Sequence, residues 1–147
     1  MTNEQYMLQA IAEANYSVSL GSLPFACIVV DATGAVIWKD HDRVEEHMDP
    51  TAHGEINAIR HLCKKLQTRN LSAYTFYTTS EPCPTCFSSL IKAKVQKIYF
   101  GAKTEVNASL PISAEEMAKR STKKIEVIAG ILEHECLEQR EFYFKNL

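Results

Sequence analysis

The stretch Tyr74-Thr75-Phe76-Tyr77-Thr78-Thr79-Ser80-Glu81-Pro82-Cys83-Pro84-Thr85-Cys86 decides how the rest of the chain is read. Its first part, Tyr74 to Thr79, is dense in aromatic and β-branched residues, a composition suited to a pleated, half-buried strand. Pro82-Cys83-Pro84 marks the exit of that strand, and the residues beyond it predict a helix running to about Lys94. The order is strand, tight turn, helix. Lys97-Ile98-Tyr99-Phe100 then supplies the next strand.

Toward the N-terminus, Thr2-x-x-Gln5 matches a capping box, and Tyr6, Ala10, Ile11, Ala14 and Val18 recur at helical spacing, so an amphipathic helix is expected up to Gly21. Phe25-Ala26-Cys27-Ile28-Val29-Val30 reads as a buried strand. Asp31-Ala32-Thr33-Gly34 turns it into a second strand, Ala35-Val36-Ile37-Trp38, which makes a β-hairpin. A polar loop from Lys39 to Asp49 leads to a helix beginning near His53, with Ile56, Ile59, Leu62, Cys63 and Leu66 on its inner face. Toward the C-terminus, a less regular stretch contains a second capping-box candidate, Ser113-Ala114-Glu115-Glu116. Ile125-Glu126-Val127-Ile128 follows as a fifth strand, and a closing helix runs from about Leu132 to Phe144. Strands alternating with helices imply an α/β sheet with helices on both faces, mixed in direction because of the opening hairpin.

The bulk properties bound the function. A chain of 147 residues fits one domain spanning 1–147, and 46% hydrophobic with 23% charged residues is ordinary for a soluble globular protein. No segment approaches the ~20 apolar residues of a membrane span. Met1-Thr2-Asn3-Glu4-Gln5 lacks the features of a secretory signal, so the expected compartment is the cytoplasm. Five cysteines, an odd number, argue against a disulfide framework, and only Cys83 and Cys86 are close together. A formal charge of −2 gives no global basic footprint and disfavours RNA as a partner.

Two segments carry the chemistry: His53-Gly54-Glu55 at the start of one predicted helix, and Pro82-Cys83-Pro84-Thr85-Cys86 at the start of another. One imidazole and two thiolates suit zinc, which takes nitrogen and sulfur at roughly 2.0 to 2.3 Å. Three protein ligands leave a fourth position for water, whose pKa falls toward about 7 on the metal. The first turn of a helix favours the thiolate form through its unpaired N–H groups and the positive end of its dipole. Glu55, one residue from His53, need not compete for the metal and stands where a proton shuttle belongs. Cys-x-x-Cys has two other readings. A redox dithiol leaves His53 and Glu55 unexplained, and a structural zinc knuckle wants a fourth protein ligand, which His41, His47, His61 and His134 do not supply in any zinc-like pairing.

In order and structural position these segments match H-x-E…P-C-x-x-C, the signature of zinc nucleobase deaminases. The chain resembles the cytidine and deoxycytidylate deaminase superfamily over nearly its whole length. Within it the resemblance is to the branch of bacterial guanine deaminases, yeast-type cytosine deaminases and tRNA adenosine deaminases. Pro24-Phe25-Ala26, Asp49-Pro50-Thr51-Ala52-His53-Gly54-Glu55, Tyr77 through Cys86 and an aromatic closing helix carry it. The resemblance implies a three-layer α/β/α sandwich with a five-stranded sheet and one Zn2+ per chain held by His53, Cys83 and Cys86. It also implies Glu55 as the proton shuttle and a homodimer. The family's usual substrate-binding asparagine corresponds at matching spacing to Asp42. An ionised carboxylate there only accepts hydrogen bonds, and would favour a ligand with an extra N–H. Alternatively Asp42 is an exposed loop residue and Asp40 or Arg43 sits nearer the site.

Phe25, Asp42, Ala52 and Tyr143 are the candidate substrate contacts. Phe25 also fits the core, and Phe142, Tyr143 and Phe144 cannot all share one helical face. The expected reaction is hydrolytic deamination of a free purine-type base such as guanine, on the grounds of the charge and of Pro84. The alternatives are a tRNA adenosine, to which Gly130-Ile131-Leu132 and the final helix point, a cytosine-type base or nucleoside, and an inert zinc-stabilised binding subunit.

Overall fold

The computed structural model describes residues 1–104 and 108–147. Eleven elements follow in order: α1 (Asn3–Ser19), β1 (Ala26–Val30), β2 (Val36–His41), α2 (Val44–His47), α3 (Gly54–Leu66), β3 (Thr75–Ser80), α4 (Pro84–Lys92), β4 (Lys97–Ala102), α5 (Ala114–Arg120), β5 (Glu126–Ile128) and α6 (Glu133–Lys145). The strands form one sheet in the order β2-β1-β3-β4-β5. β1 is antiparallel to both β2 and β3, whereas β3, β4 and β5 run parallel. This is the five-stranded mixed sheet that the resemblance implies.

Alternation along the strands separates two cores. Cys27 and Val29 of β1 point into one with Ala58 and Leu62 of α3 and Phe87 and Leu90 of α4. Ile28 and Val30 point into the other with Tyr6, Met7 and Ala10 of α1 and Cys136 of α6. The helices therefore cover both faces, and every residue of β1 is buried, as a central strand read from a continuous apolar run should be.

Thr2 caps α1 through a complete capping box, and Gly21, at φ +85, takes the chain out of the helix. Three sequence expectations need correction. β2 continues to His41 and α2 follows it, so the expected polar loop is largely structured; Asp40 and His41 are buried and in register with Cys27 and Ala26. Val18 and Leu66, placed on inner faces by periodicity, are exposed, because each lies at a helix end where the sheet no longer covers it. The second capping-box candidate, within the stretch expected to be less regular, is borne out as an N-cap: Ser113 caps α5 by accepting from the Glu116 N–H. Residues 105–107 of that stretch lie outside the described residues.

The topology gathers chain ends at one edge. Because β1 is antiparallel to β3, its N-terminal end lies beside the C-terminal end of β3, where the Ala26 N–H donates to Thr79 Oγ1 at 3.2 Å. The exit of β2 joins them, with the Asp42 N–H donating to the Phe25 carbonyl at 3.0 Å. α3 starts against the same edge. A Cβ on Gly54 would stand 3.3 Å from the Asp40 carbonyl oxygen, so glycine there lets the helix tip approach β2 closely.

Candidate metal and active site

His53 and Cys83 are the N-cap residues of α3 and α4, and Cys86 sits in the first turn of α4 behind Pro84. The two helices pack side by side on one face of the sheet, so both tips open at the same edge. His53 Nδ1 lies 3.6 Å from Cys83 Sγ and 3.4 Å from Cys86 Sγ, and the three donor atoms fall within 4.8 Å of one another. Tetrahedral ligation at roughly 2.0 Å to nitrogen and 2.3 Å to sulfur would separate nitrogen from sulfur by about 3.5 Å. The protein atoms already stand at that spacing, so the donor set fits zinc.

The electrostatics agree. Cys83 is held down to about 4, chiefly by the Cys86 hydrogen bond and then by His53, against the cost of partial burial. Cys86, the donating partner, is pushed well up by that bond to Cys83 and by burial. His53 rises to about 9 through its hydrogen bond to Cys83. Zinc takes neutral imidazole and thiolate, so binding it would displace the protons these three groups hold between them. Glu55 is buried, and burial pushes its carboxyl up while His53 opposes the shift.

Asn57 anchors the α3 tip, its Nδ2 donating to the His41 carbonyl at 2.9 Å and the Ala52 carbonyl at 3.0 Å. Glu81, within the cysteine motif, braces the other side: its carboxylate accepts from the Thr104 N–H at 2.9 Å and the Ala114 N–H at 2.8 Å.

A cavity of about 760 Å³ opens over these groups; Phe25, Asp42, His53, Glu55 and Cys83 are in its wall. Asp42 is buried, not an exposed loop residue, with Oδ1 accepting from the Val44 N–H at 3.2 Å. Asp40 is spent on Trp38 Nε1 and Arg43 Nε. Two expected contacts lie elsewhere. Ala52 is fully buried, its carbonyl taken by the Arg43 N–H and Asn57, and it is not part of the cavity wall. Tyr143 faces a separate groove between α1 and α6, and Phe144, the next residue, lines the cavity instead. Helical spacing explains the difference, since Cys136 and Arg140 are buried on the face turned toward the sheet and Phe144, one turn further on, continues that line into the cavity wall with its ring partly exposed. That spacing, started from a buried cysteine, would also have found Arg140, which sequence reading missed.

A mixed sheet carrying two helix tips that present His, Cys and Cys beside a buried glutamate defines the class of zinc hydrolases acting on C–N bonds. The chain belongs to the family described by the cytidine and deoxycytidylate deaminase zinc-binding region, whose model matches residues 1–102. It is 33% identical to the tRNA-specific adenosine deaminase of Bacillus subtilis, across 99% of this chain and 90% of that one. It is 34% identical to the guanine deaminase of the same organism, across 70% of this chain and 66% of that one. A solved structure of tRNA:A34 deaminases, from work on A-to-I editing at the wobble position, superposes with a TM-score of 0.82 at 28% identity, covering 92% of this chain and 98% of that one. Among the described residues no helix is long and apolar enough to cross a membrane.

Proposed function

We propose that the chain hydrolyses the exocyclic amine of an adenosine presented by a tRNA, releasing ammonia and leaving inosine. This reverses the preference for a free guanine-type base drawn from net charge and Pro84. The observation that carries it is the similarity to a tRNA-specific adenosine deaminase along nearly the full chain. The cavity, about 760 Å³ and reaching from Glu55 to Arg140, Phe144 and Lys145 on α6, is large enough to admit more than a base and is compatible with that reading.

His53, Cys83 and Cys86 would hold the zinc, which supplies an acidified water at neutral pH. Glu55 does the proton work. Its carboxylate takes one proton from the attacking water and delivers it to the ring nitrogen as the carbon–oxygen bond forms. It then carries the second proton to the exocyclic nitrogen, the carbon–nitrogen bond breaks, and ammonia leaves as the carbonyl closes. Burial suits Glu55 to this task, because a carboxyl pushed upward holds a proton more readily than an exposed one and can then deliver it. Phe25 offers a flat face to the ring.

Asp42 favours a second reading. A buried carboxylate in the cavity wall accepts hydrogen bonds and donates none, which matches a ring bearing extra N–H groups, guanine-like, better than adenine. Ammonia release separates the two. The metal-loaded enzyme is assayed on a tRNA anticodon stem-loop, adenosine, adenine, guanine, guanosine, cytosine and a pterin. Turnover of the stem-loop is expected. Turnover of guanine with an inert stem-loop would discard the first reading in favour of the second.

A further inference from the structure

Arg140 is a charged side chain whose situation the metal centre does not explain. It lies in the middle of α6, is only 5% exposed, and lines the same cavity as Glu55 and Asp42. Nη1 donates to the Lys103 carbonyl at 3.0 Å, and Nη2 to Ser80 Oγ at 2.7 Å with the Ala102 carbonyl at 3.5 Å. Every one of these acceptors is neutral. Nε has no partner among the described residues. The nearby Glu81 carboxylate is occupied by the Thr104 and Ala114 N–H groups. The Phe25 ring centroid is 6.0 Å from Cζ, at the outer limit of a useful cation–π contact.

A guanidinium is always charged, and burying one against neutral oxygens alone is costly. An apolar residue at this position would extend the buried patch that begins at Cys136 without that cost. The three anchoring contacts instead hold the fork in one orientation within the cavity wall; one Nη1–H is left over from its five donors, and Nε–H is unpartnered among the described residues and sealed from solvent. A fixed cation with a spare donor is what recognition of an oxygen acceptor requires.

We propose that Arg140 is a substrate-selecting residue: anchored by Ser80, Ala102 and Lys103, its guanidinium receives an oxygen acceptor of the ligand, either a ring carbonyl or a phosphate oxygen. The proposal rests on this cavity being the deamination cavity, and not on which substrate enters it. Arg140 has no part in the proton transfers assigned to Glu55.

The test uses two pairs of compounds that differ in the oxygen group: guanine with 2-aminopurine, and adenosine 5′-monophosphate with adenosine. Equilibrium binding and KM are measured on zinc-loaded wild type, Arg140→Leu and Arg140→Lys, with zinc content and melting temperature followed in each. Arg140→Leu is expected to weaken binding of the oxygen-bearing member of one pair by at least tenfold and its counterpart by less than twofold, with kcat changed less than KM. Arg140→Lys should recover part of the loss. A loss confined to the guanine pair assigns the ring carbonyl, and one confined to the nucleotide pair assigns the phosphate. Equal losses within both pairs would reduce Arg140 to a structural clamp and overturn the proposal, as would no loss, or no binding of any of the four to wild type. Selective binding without turnover of any compound would leave the proposal standing and count against the deamination reading.

Discussion

Replacing Glu55 with glutamine tests the proton shuttle without disturbing the metal. The side chain is 8% exposed, and glutamine has nearly its volume, so no cavity opens in α3. Glu55 is not one of the three donors that converge within 4.8 Å, so Glu55→Gln should bind one zinc per chain as wild type does. Only the proton chemistry is lost. General acid–base catalysis by one positioned group is worth about 10²- to 10⁴-fold. Because Glu55 is buried, bulk water cannot readily replace it, and the upper part of that range applies. A loss of about 10³- to 10⁴-fold in kcat corresponds to about 4 to 5.5 kcal/mol at about 1.4 kcal/mol per decade. Removing a buried carboxyl whose ionised form is disfavoured should not lower the melting temperature. The assay is ammonia release at saturating substrate, normalised to zinc measured on the same sample. Turnover within tenfold of wild type at equal zinc content would refute the assignment, and loss of zinc would show that Glu55 supports the metal instead.

Cys86→Ala should abolish stoichiometric zinc binding and lower stability, since the ion ties the tips of α3 and α4 together; a folded, fully metallated Cys86→Ala protein would remove Cys86 from the ligand set. Phe87→Ala should cost about 3 to 5 kcal/mol of unfolding free energy, because the ring is fully buried behind the cysteine turn; denaturant titration reads the loss. Thiol alkylation at pH 8, followed by mass spectrometry, should modify half-buried Cys63 only slowly in the zinc-loaded protein, because burial raises its thiol, and add Cys83 rapidly once the metal is chelated. Cys27, raised by burial, and Cys136, pushed up to about 12, hold almost no thiolate at that pH and should react only on unfolding; labelling of either in the native protein would contradict their burial.

The periodic segments were legible before any coordinates. A continuous apolar run such as Cys27 to Val30 can satisfy itself only as a strand covered on both faces, and the Thr2 capping box writes its hydrogen bonds into four consecutive residues. The cysteine turn was equally legible, because Pro84 at the helix start and the thiols around it combine local propensity with chemistry. The end of β2 was not. Lys39-Asp40-His41 is polar, and only Asp40's bonds to Trp38 and Arg43, with Glu13 beside His41 at 2.7 Å, make it stable inside the protein.

By itself the sequence determined most of the elements, though not α2 or the end of β2, together with the ligand types and the acid beside them, since each depends on residues within a few positions of one another. Tertiary structure decided what else stands around the reacting ring. His53 and Cys83 meet because antiparallel β1 and parallel β4 place both helix tips at one edge of the sheet. The Asp42 backbone N–H donates to the Phe25 carbonyl and fixes that residue at the cavity wall, and Arg140 reaches the cavity from 54 residues beyond Cys86. Contacts between residues so distant in sequence leave no local period or propensity, and they are fixed only when the two faces of the sheet are packed.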